Sequence, residues 1–267
     1  MQAGYAFSRF ADRLASIVEL SSGDFELLAS MPSSICHYGS HHHVLKHGDR
    51  PNHCSVLLQG YLCWQDVDSY HGRITSIHVP GDVPDLCTLH DPRVDFDLLT
   101  LGQAVVATVP HTFFRELSAL SPSMSRALLL LMLTDAAILR NWIVNLGSRD
   151  ALARVAHLLC EVTTRLRAVG LARDFRIPLP FTQSGLAAAC SISTVHANRV
   201  IHELRRNNIL QWQSKTITIT DWNELVRLAA FNPGYLRLRG QDPAELHKQH
   251  SPLSGIARRL STRTMLH

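Results

Sequence analysis

Charge and aromatic side chains are both scarce in this chain of 267 residues: Asp, Glu, Lys and Arg together make up 18% and Phe, Trp and Tyr 7%. With 46% hydrophobic residues this balance excludes a disordered polyelectrolyte and leaves an ordinary globular protein long enough for two cores. The six cysteines, Cys36, Cys54, Cys63, Cys87, Cys160 and Cys190, contain no C-x-x-C pair. No export signal accompanies them, because Arg9, Asp12 and Arg13 interrupt the N-terminus before an apolar stretch develops. They are therefore expected as buried thiols in a cytoplasmic protein, not as disulfides. Long hydrophobic runs are missing too. The longest, Ala127 to Leu133, stops at Thr134-Asp135, well short of the roughly 18 to 20 residues a bilayer requires, so no membrane partner is expected. Nor is there a G-x-S-x-G, a Gly-rich phosphate loop or an H-E-x-x-H, and no residue is assigned a catalytic role.

What is present is concentrated in residues 181–206. Thr182 is placed to cap a helix whose apolar side is Leu186, Ala189 and Cys190, with Ala187 supplying the small side chain needed at a helix crossing. Ser193 caps a second helix, predicted from Thr194 to Asn207 and roughly 21 Å long. Ala197, Val200, Ile201 and Leu204 face inward by their spacing, leaving Thr194, Val195, His196, Asn198, Arg199 and His202 outward. An ordinary helical hairpin with a solvated face has the same pattern. The next residues narrow it: Ile209 to Gln213 and Thr216 to Ile219 alternate around Ser214-Lys215, a hairpin wing whose tip can reach a phosphate. The net charge of +4 is mild, but from Arg176 to Arg227 six basic residues face three acidic ones. Thr182, Gln183, Ser193, Thr194, Val195, His196, Asn198, Arg199, His202 and Lys215 are the candidate contacts to double-stranded DNA.

Upstream, Phe10, Leu14, Ile17 and Val18 mark one or two amphipathic helices in residues 1–30. From Ile35 to Val109 short alternating runs are separated by turns such as His47 to Asn52, Asp66 to Gly72 and Pro80 to Pro84, the pattern of a β-roll or jelly roll. A short helix from His111 or Thr112 to Leu117 precedes a long one, opened by Ser121-Pro122 and closed by Gly147. In it Leu129, Met132, Ala136, Leu139, Ile143 and Leu146 recur at steps of three, four, three, four and three, an a/d seam without a polar interruption. Leu128, Leu131, Ile138 and Trp142 form a second apolar face, so the seam fits either a dimer contact or a helix buried in a monomer. A further helix, Arg149 to Val169, leads into the helix pair.

On these residues the chain resembles the Crp/Fnr family of bacterial transcription regulators. The likeness rests on Leu179 to Ile219, on the long apolar helix, and on His47-Gly48-Asp49, Leu57 to Tyr61 and His78 to Asp82, which are similar to turns of that family's roll. The resemblance implies an α+β chain: N-terminal helices (1–30), a cyclic-nucleotide-binding-like β-roll (31–120), a dimerisation helix (121–147), a winged helix-turn-helix (148–231), and an extension of 232–267 that is basic at its end. It also implies a cytoplasmic homodimer that reads a pseudo-palindromic promoter site and works with RNA polymerase. Arg199 is similar to the family's base- or phosphate-contacting Arg. Val195 stands where relatives often carry a cytosine-reading Glu, so a methyl-rich A·T step is expected there.

The resemblance leaves the signal open. Members that bind cyclic nucleotides use a Gly-Glu pair and a later Arg-Ser or Arg-Thr pair. Here Pro80 to Leu86 has no Gly-Glu, and Val94-Asp95-Phe96 stands where the Arg pair is expected. Asp82, Asp85, Asp91, Asp95 and Asp97 accompany the single Arg93 from Gly81 to Leu101, so a phosphate is expected to meet repulsion and cyclic AMP not to be the effector. Iron-sulfur members carry clustered N-terminal cysteines, and none precedes Cys36 here. No cofactor is assigned. The alternative reading uses His37, His41, His42, His43, His47 and His53: on an alternating strand His41 and His43 share a side, as in a metal-dependent, cupin-like β-roll protein. A third is a ligand-binding protein that has lost its DNA function.

Overall fold

The computed structural model describes residues 2–66, 73–178 and 182–240. Two helices open the chain, α1 (Gln2–Ala15) and α2 (Ser22–Ala29). Phe10 and Leu14, one helical turn apart, are fully buried, with Ile17 just beyond the end of α1. Ser21 and Asp24 cap the start of α2 reciprocally. Asp24 also accepts the Ser121 hydroxyl at 2.6 Å, which ties α2 to the start of the long helix. Burial pushes this carboxyl up, but the hydrogen bonds from Ser121, Ser21 and Ser123 outweigh it and hold the pKa down at about 2.

Seven strands then form the roll: β1 (Ser34–Tyr38), β2 (His43–Leu45), β3 (His53–Gln59), β4 (Leu62–Gln65), β5 (Ile74–His78), β6 (Asp97–Thr100) and β7 (Ala104–Pro110). They pair antiparallel into a three-stranded sheet of order β1-β7-β3 and a four-stranded sheet of order β2-β6-β4-β5. The expected turn within Asp66 to Gly72 falls mostly outside the described residues. Leu57 and Val106 from one sheet and Leu62 and Leu98 from the other fill the space between them. The outer faces are buried as well. Cys54, Val56, Ala107 and Val109 pack beneath the N-terminal helices, while Cys63, Ile77 and Leu99 pack beneath the C-terminal domain. This double burial is why β3 is buried almost throughout, where the burial of a half-exposed strand would alternate.

After α3 (His111–Leu120) runs the long helix α4 (Pro122–Ser148), followed by α5 (Ala151–Ala168). Ser121 caps α4 by accepting from the Met124 amide at 3.2 Å, with Pro122 in the first turn. Gly147 lies inside its last turn; the extended backbone of Arg149 ends it. One face of α4 is buried throughout: Met124, Leu128 and Leu131 against the three-stranded sheet, Ile138 and Trp142 against the C-terminal domain. Among the described residues α4 alone has the length and hydropathy to cross a membrane, but this packed face makes it a core helix. Leu236 is 1% exposed and the Arg239 amide donates to the Ser16 carbonyl at 2.8 Å, so packing continues past residue 231, where an extension was expected to begin. The basic end at Arg258, Arg259 and Arg263 lies outside the described residues.

His157 on α5 is 1% exposed, stacked on Tyr235 and edge-on to Phe231. Burial, helped by the charge of Arg149, pushes its imidazole down to about 4. A depressed histidine pKa contributes stability that is complete above the unfolded value, about 6.5, and is lost as pH falls toward the folded value, at about 1.4 kcal/mol per pH unit. Urea unfolding between pH 6 and pH 5 should therefore show the wild type losing about that much relative to His157→Phe. A difference that does not vary with pH would contradict the assignment.

Candidate nucleic-acid interface

The C-terminal domain contains β8 (Arg176–Pro178), α6 (Gln183–Ala189), α7 (Thr194–Arg206), β9 (Leu210–Gln213), β10 (Thr216–Ile219) and α8 (Trp222–Ala229). Leu186, Ala187, Ala189 and Cys190 are buried, as are Ala197, Val200, Ile201 and Leu204, so the two helices pack on the faces their spacing implied. Between them Ser191 takes a left-handed φ of 49°, and the Ile192 amide returns to the Ala187 carbonyl at 3.0 Å. β9 and β10 pair in register, Gln213 opposite Thr216, with β8 on the other edge of β10. This is the wing, and Lys215 is exposed at its tip.

The candidate residues divide by role. Thr194, Val195, His196, Arg199 and His202 stand exposed along α7, with Gln183 exposed at the start of α6. Thr182 and Ser193 are the caps: their hydroxyl oxygens accept from the Gly185 and His196 amides, each at 3.2 Å. The Ser193 O–H remains able to donate to a phosphate. Asn198 departs from expectation, being half-buried with its Oδ1 enclosed and unpartnered. Arg205 and Arg206, exposed in the last turn of α7, extend the basic surface without having been singled out. Arg154 was also missed. From α5 it donates to the Arg149 and Cys190 carbonyls at 2.8 and 3.4 Å, bracing the turn between α6 and α7. No local pattern marks it, because its partners are backbone atoms brought together by the fold.

Beneath this domain lies a buried ion cluster that sequence reasoning did not anticipate. Asp82, in the turn after β5, accepts from Arg13 Nε on α1 at 3.0 Å, from Arg165 on α5 at 2.5 Å and from the Val79 amide at 2.8 Å. Arg165 also donates to the Ile77 carbonyl at 2.8 Å and to Glu161 at 3.3 Å. Glu161 in turn accepts from the Trp142 indole at 3.2 Å and the Tyr235 hydroxyl at 2.7 Å. Burial acts to raise the Asp82 carboxyl, but Arg165 and Arg13 outweigh it and hold it below its ordinary value. Half-buried Asp135, on α4, has no such partner: burial and the nearby charge of Asp82 push it up to about 7. Gly81 makes the approach of α1 possible. Its φ is 95°, and a Cβ there would meet the Arg9 carbonyl oxygen and Arg13 Cβ at 2.7 Å.

The expectation that the Gly81 to Leu101 aspartates face an open anion site is corrected by this arrangement. Asp82 is held by two guanidinium groups, and Asp85 is buried with its oxygens accepting from the Ser55 amide at 2.8 and 3.0 Å. Asp97 pairs with His43 at 3.0 Å and accepts from the His47 amide at 2.7 Å. Asp91, Arg93 and Asp95 are exposed and do not converge with them. The histidine cluster is corrected as well. β2 begins only at His43, and His41 sits in the preceding turn with φ 56°, so the two do not alternate along a strand. Among the described residues no three His, Cys, Asp or Glu side chains converge as metal ligands. Of the six cysteines four are buried, while Cys36 is half-buried and Cys87 exposed; all are free thiols.

A capped recognition helix, a bracing helix before it and a three-stranded wing define a DNA-binding domain, here joined to a β-roll. Residues 153–228 match the family model of the Crp-like helix-turn-helix domain. The chain is 25% identical over 191 residues to an anaerobic regulatory protein of Haemophilus influenzae, covering 71% of this chain and 74% of the relative. It is 26% identical over 188 residues to the transcriptional activator protein FnrA of Stutzerimonas stutzeri, covering 70% and 76%. The fold is similar to that of FixK2 from Bradyrhizobium japonicum, with a TM-score of 0.66 at 17% identity over 76% of this chain and all of that one. The chain is thus similar to transcription regulators of the Crp/Fnr type, and its Crp-like helix-turn-helix domain makes it a DNA-binding transcription regulator. The cupin-like alternative is not favoured.

Proposed function

We propose that the chain acts in the cytoplasm as a homodimer whose two α7 helices read a pseudo-palindromic promoter site, with RNA polymerase as its partner. The observation that carries the dimer is the unpartnered face of α4. Leu129, Leu139 and Ile143 are 52%, 44% and 71% exposed, with Met132, Ala136 and Leu146 half-buried between them. Leu133 and Val144, at 41% and 53%, widen the strip beyond the predicted seam. One helix presenting this much apolar surface in a repeat of 3.5 residues fits a second copy of itself about a two-fold axis. Such a dimer would set two recognition helices about 34 Å apart, one turn of DNA.

The roll, residues 31–120, is read as a sensor module whose effector is not a cyclic nucleotide. The support is the fate of Asp82: the turn that would meet a ribose and phosphate is closed by α1, and its acid is committed to Arg13 and Arg165. Calorimetry with cyclic AMP and a gel shift in its presence are the direct checks on this part of the reading.

Arg199, exposed in the second turn of α7, is assigned to a guanine edge or flanking phosphate. Arg199→Ala should weaken binding to a selected operator by about 1 to 3 kcal/mol, and undiminished affinity in a gel shift would overturn that role. Leu139→Glu places a carboxylate in the seam, where desolvation opposes association. Sedimentation should show this variant monomeric at micromolar concentration, with operator binding lost. A persistent dimer would mean that the seam is wrong.

A further inference from the structure

Two carboxylates of the buried charge cluster, Asp82 and Glu161, already face two guanidinium groups, Arg13 and Arg165. Asp135 adds a third carboxyl from α4, and among the described residues its side chain makes no hydrogen bond or ion pair. Leu128, Leu131, Ile138 and Trp142, on the same stripe of the helix, are buried, yet Asp135 is only half-buried. Its place on the helix accounts for the difference. Asp135 lies within one turn of Met132 and Leu139, at the border between the inner stripe and the outward apolar strip. The far border of that strip carries Arg140, which is exposed and likewise makes no side-chain hydrogen bond or ion pair among the described residues. Five residues on one α-helix stand about 140° apart around its axis, so Arg140 turns away from Asp135 of its own chain.

We propose that Arg140 of the partner subunit reaches Asp135 across the dimer seam, so that a second copy of the chain completes the charge cluster. The inference rests on the dimer reading above. Each α4 leads through α5 into its own DNA-binding domain, and two recognition helices share one site only if both domains lie at the same end of the seam, which makes the two α4 helices parallel. With Leu129, Ala136 and Ile143 at a and Met132, Leu139 and Leu146 at d, Asp135 falls at g and Arg140 at e of the next heptad. In a parallel pair g and e are the flanking positions whose charges meet across the core. The equivalent pairs before and after this one are Leu128 with Leu133 and Trp142 with Gly147, so the ionic contact stands alone and fixes the register. Three carboxyls then face three guanidinium groups. In the isolated chain, burial and the charge of Asp82 push the Asp135 carboxyl up to about 7; a guanidinium brought beside it favours the ionised form.

Sedimentation equilibrium of the full-length protein at pH 8 tests the pair through the dimer dissociation constants of the wild type, Asp135→Asn, Arg140→Gln and the double variant. Each single substitution should weaken the dimer about two- to thirtyfold, the worth of the two ion pairs that the two-fold axis creates. The double variant should be no weaker than either single one, because both remove the same contact. Arg140→Lys, which keeps the charge, should stay close to the wild type, and added salt should narrow the gap between wild type and variants. Arg140 is exposed and holds no partner within its chain, so loss of folding does not account for a weaker dimer in Arg140→Gln. Unchanged dissociation constants in the single variants, or losses that add in the double one, would overturn the ion pair while leaving the seam in place. A wild type that is monomeric, or a Leu139→Glu variant that still dimerises, would instead remove the dimer reading on which the pair depends.

Discussion

Asp82 offers one carboxylate to two guanidinium groups that are far apart in the chain. Arg13 comes from the first helix and Arg165 from the helix that enters the DNA-binding domain. Every member of this cluster has left water, so the arrangement persists only while the pairing is complete; stripping one partner from a buried pair typically costs about 3 to 5 kcal/mol. The position of the DNA-binding domain on the roll depends on it. Arg165 reaches Asp82 only when α5 lies over the turn after β5, and Glu161, one helical turn earlier, then meets Trp142 of α4 and Tyr235 beyond α8. α1, the roll, α4 and the DNA-binding domain thus share one set of charges. Charge balance follows: Asp82 and Glu161 face Arg13 and Arg165, and the third carboxyl, Asp135, is pushed toward its neutral form.

The same constraint gives α4 its two faces. Its inner side is fixed by the roll and by the domain that Arg165 holds in place, so the apolar strip from Leu129 to Leu146 is left facing outward. It also explains why α1 matters to a regulator whose DNA-binding domain lies far from it in the sequence. Arg9 donates to the Val169 carbonyl at 3.3 Å at the end of α5, and Arg239 returns to the Ser16 and Val18 carbonyls. The N-terminal helix is therefore a strap across the molecule. Only Arg149-Asp150 separate α4 from α5, so the long helix runs almost directly into the DNA-binding domain.

Much of the helix-turn-helix and its wing is legible in the sequence because its determinants are local. A cap, an inward stripe and a two-residue hairpin each lie within a dozen residues, and Thr182, Ser193 and the Ala197-to-Leu204 stripe behave as their spacing implies. The alternation that suggests a roll is also local, although the central strands of both sheets are buried on both faces. What spacing does not encode was missed. Arg13, Asp82 and Arg165 are far apart in sequence, and each alone looks like an ordinary surface charge. By spacing alone the aspartates after Gly81 form a repulsive cluster, whereas in the fold two of them are buried and satisfied. Alternation alone cannot show that β2 begins at His43, with His41 a left-handed turn residue before it.

Native-state hydrogen exchange on the full chain in rising denaturant tests the role of Asp82 most directly, because it reports which segments open together. In the wild type the amides of α5 and of β5 should merge into a single unfolding isotherm, and in Asp82→Asn they should part into two, with α5 opening at lower free energy while β5 stays protected. If α5 already opens independently of β5 in the wild type, or if Asp82→Asn leaves the two merged, the buried cluster is not what holds the DNA-binding domain on the roll.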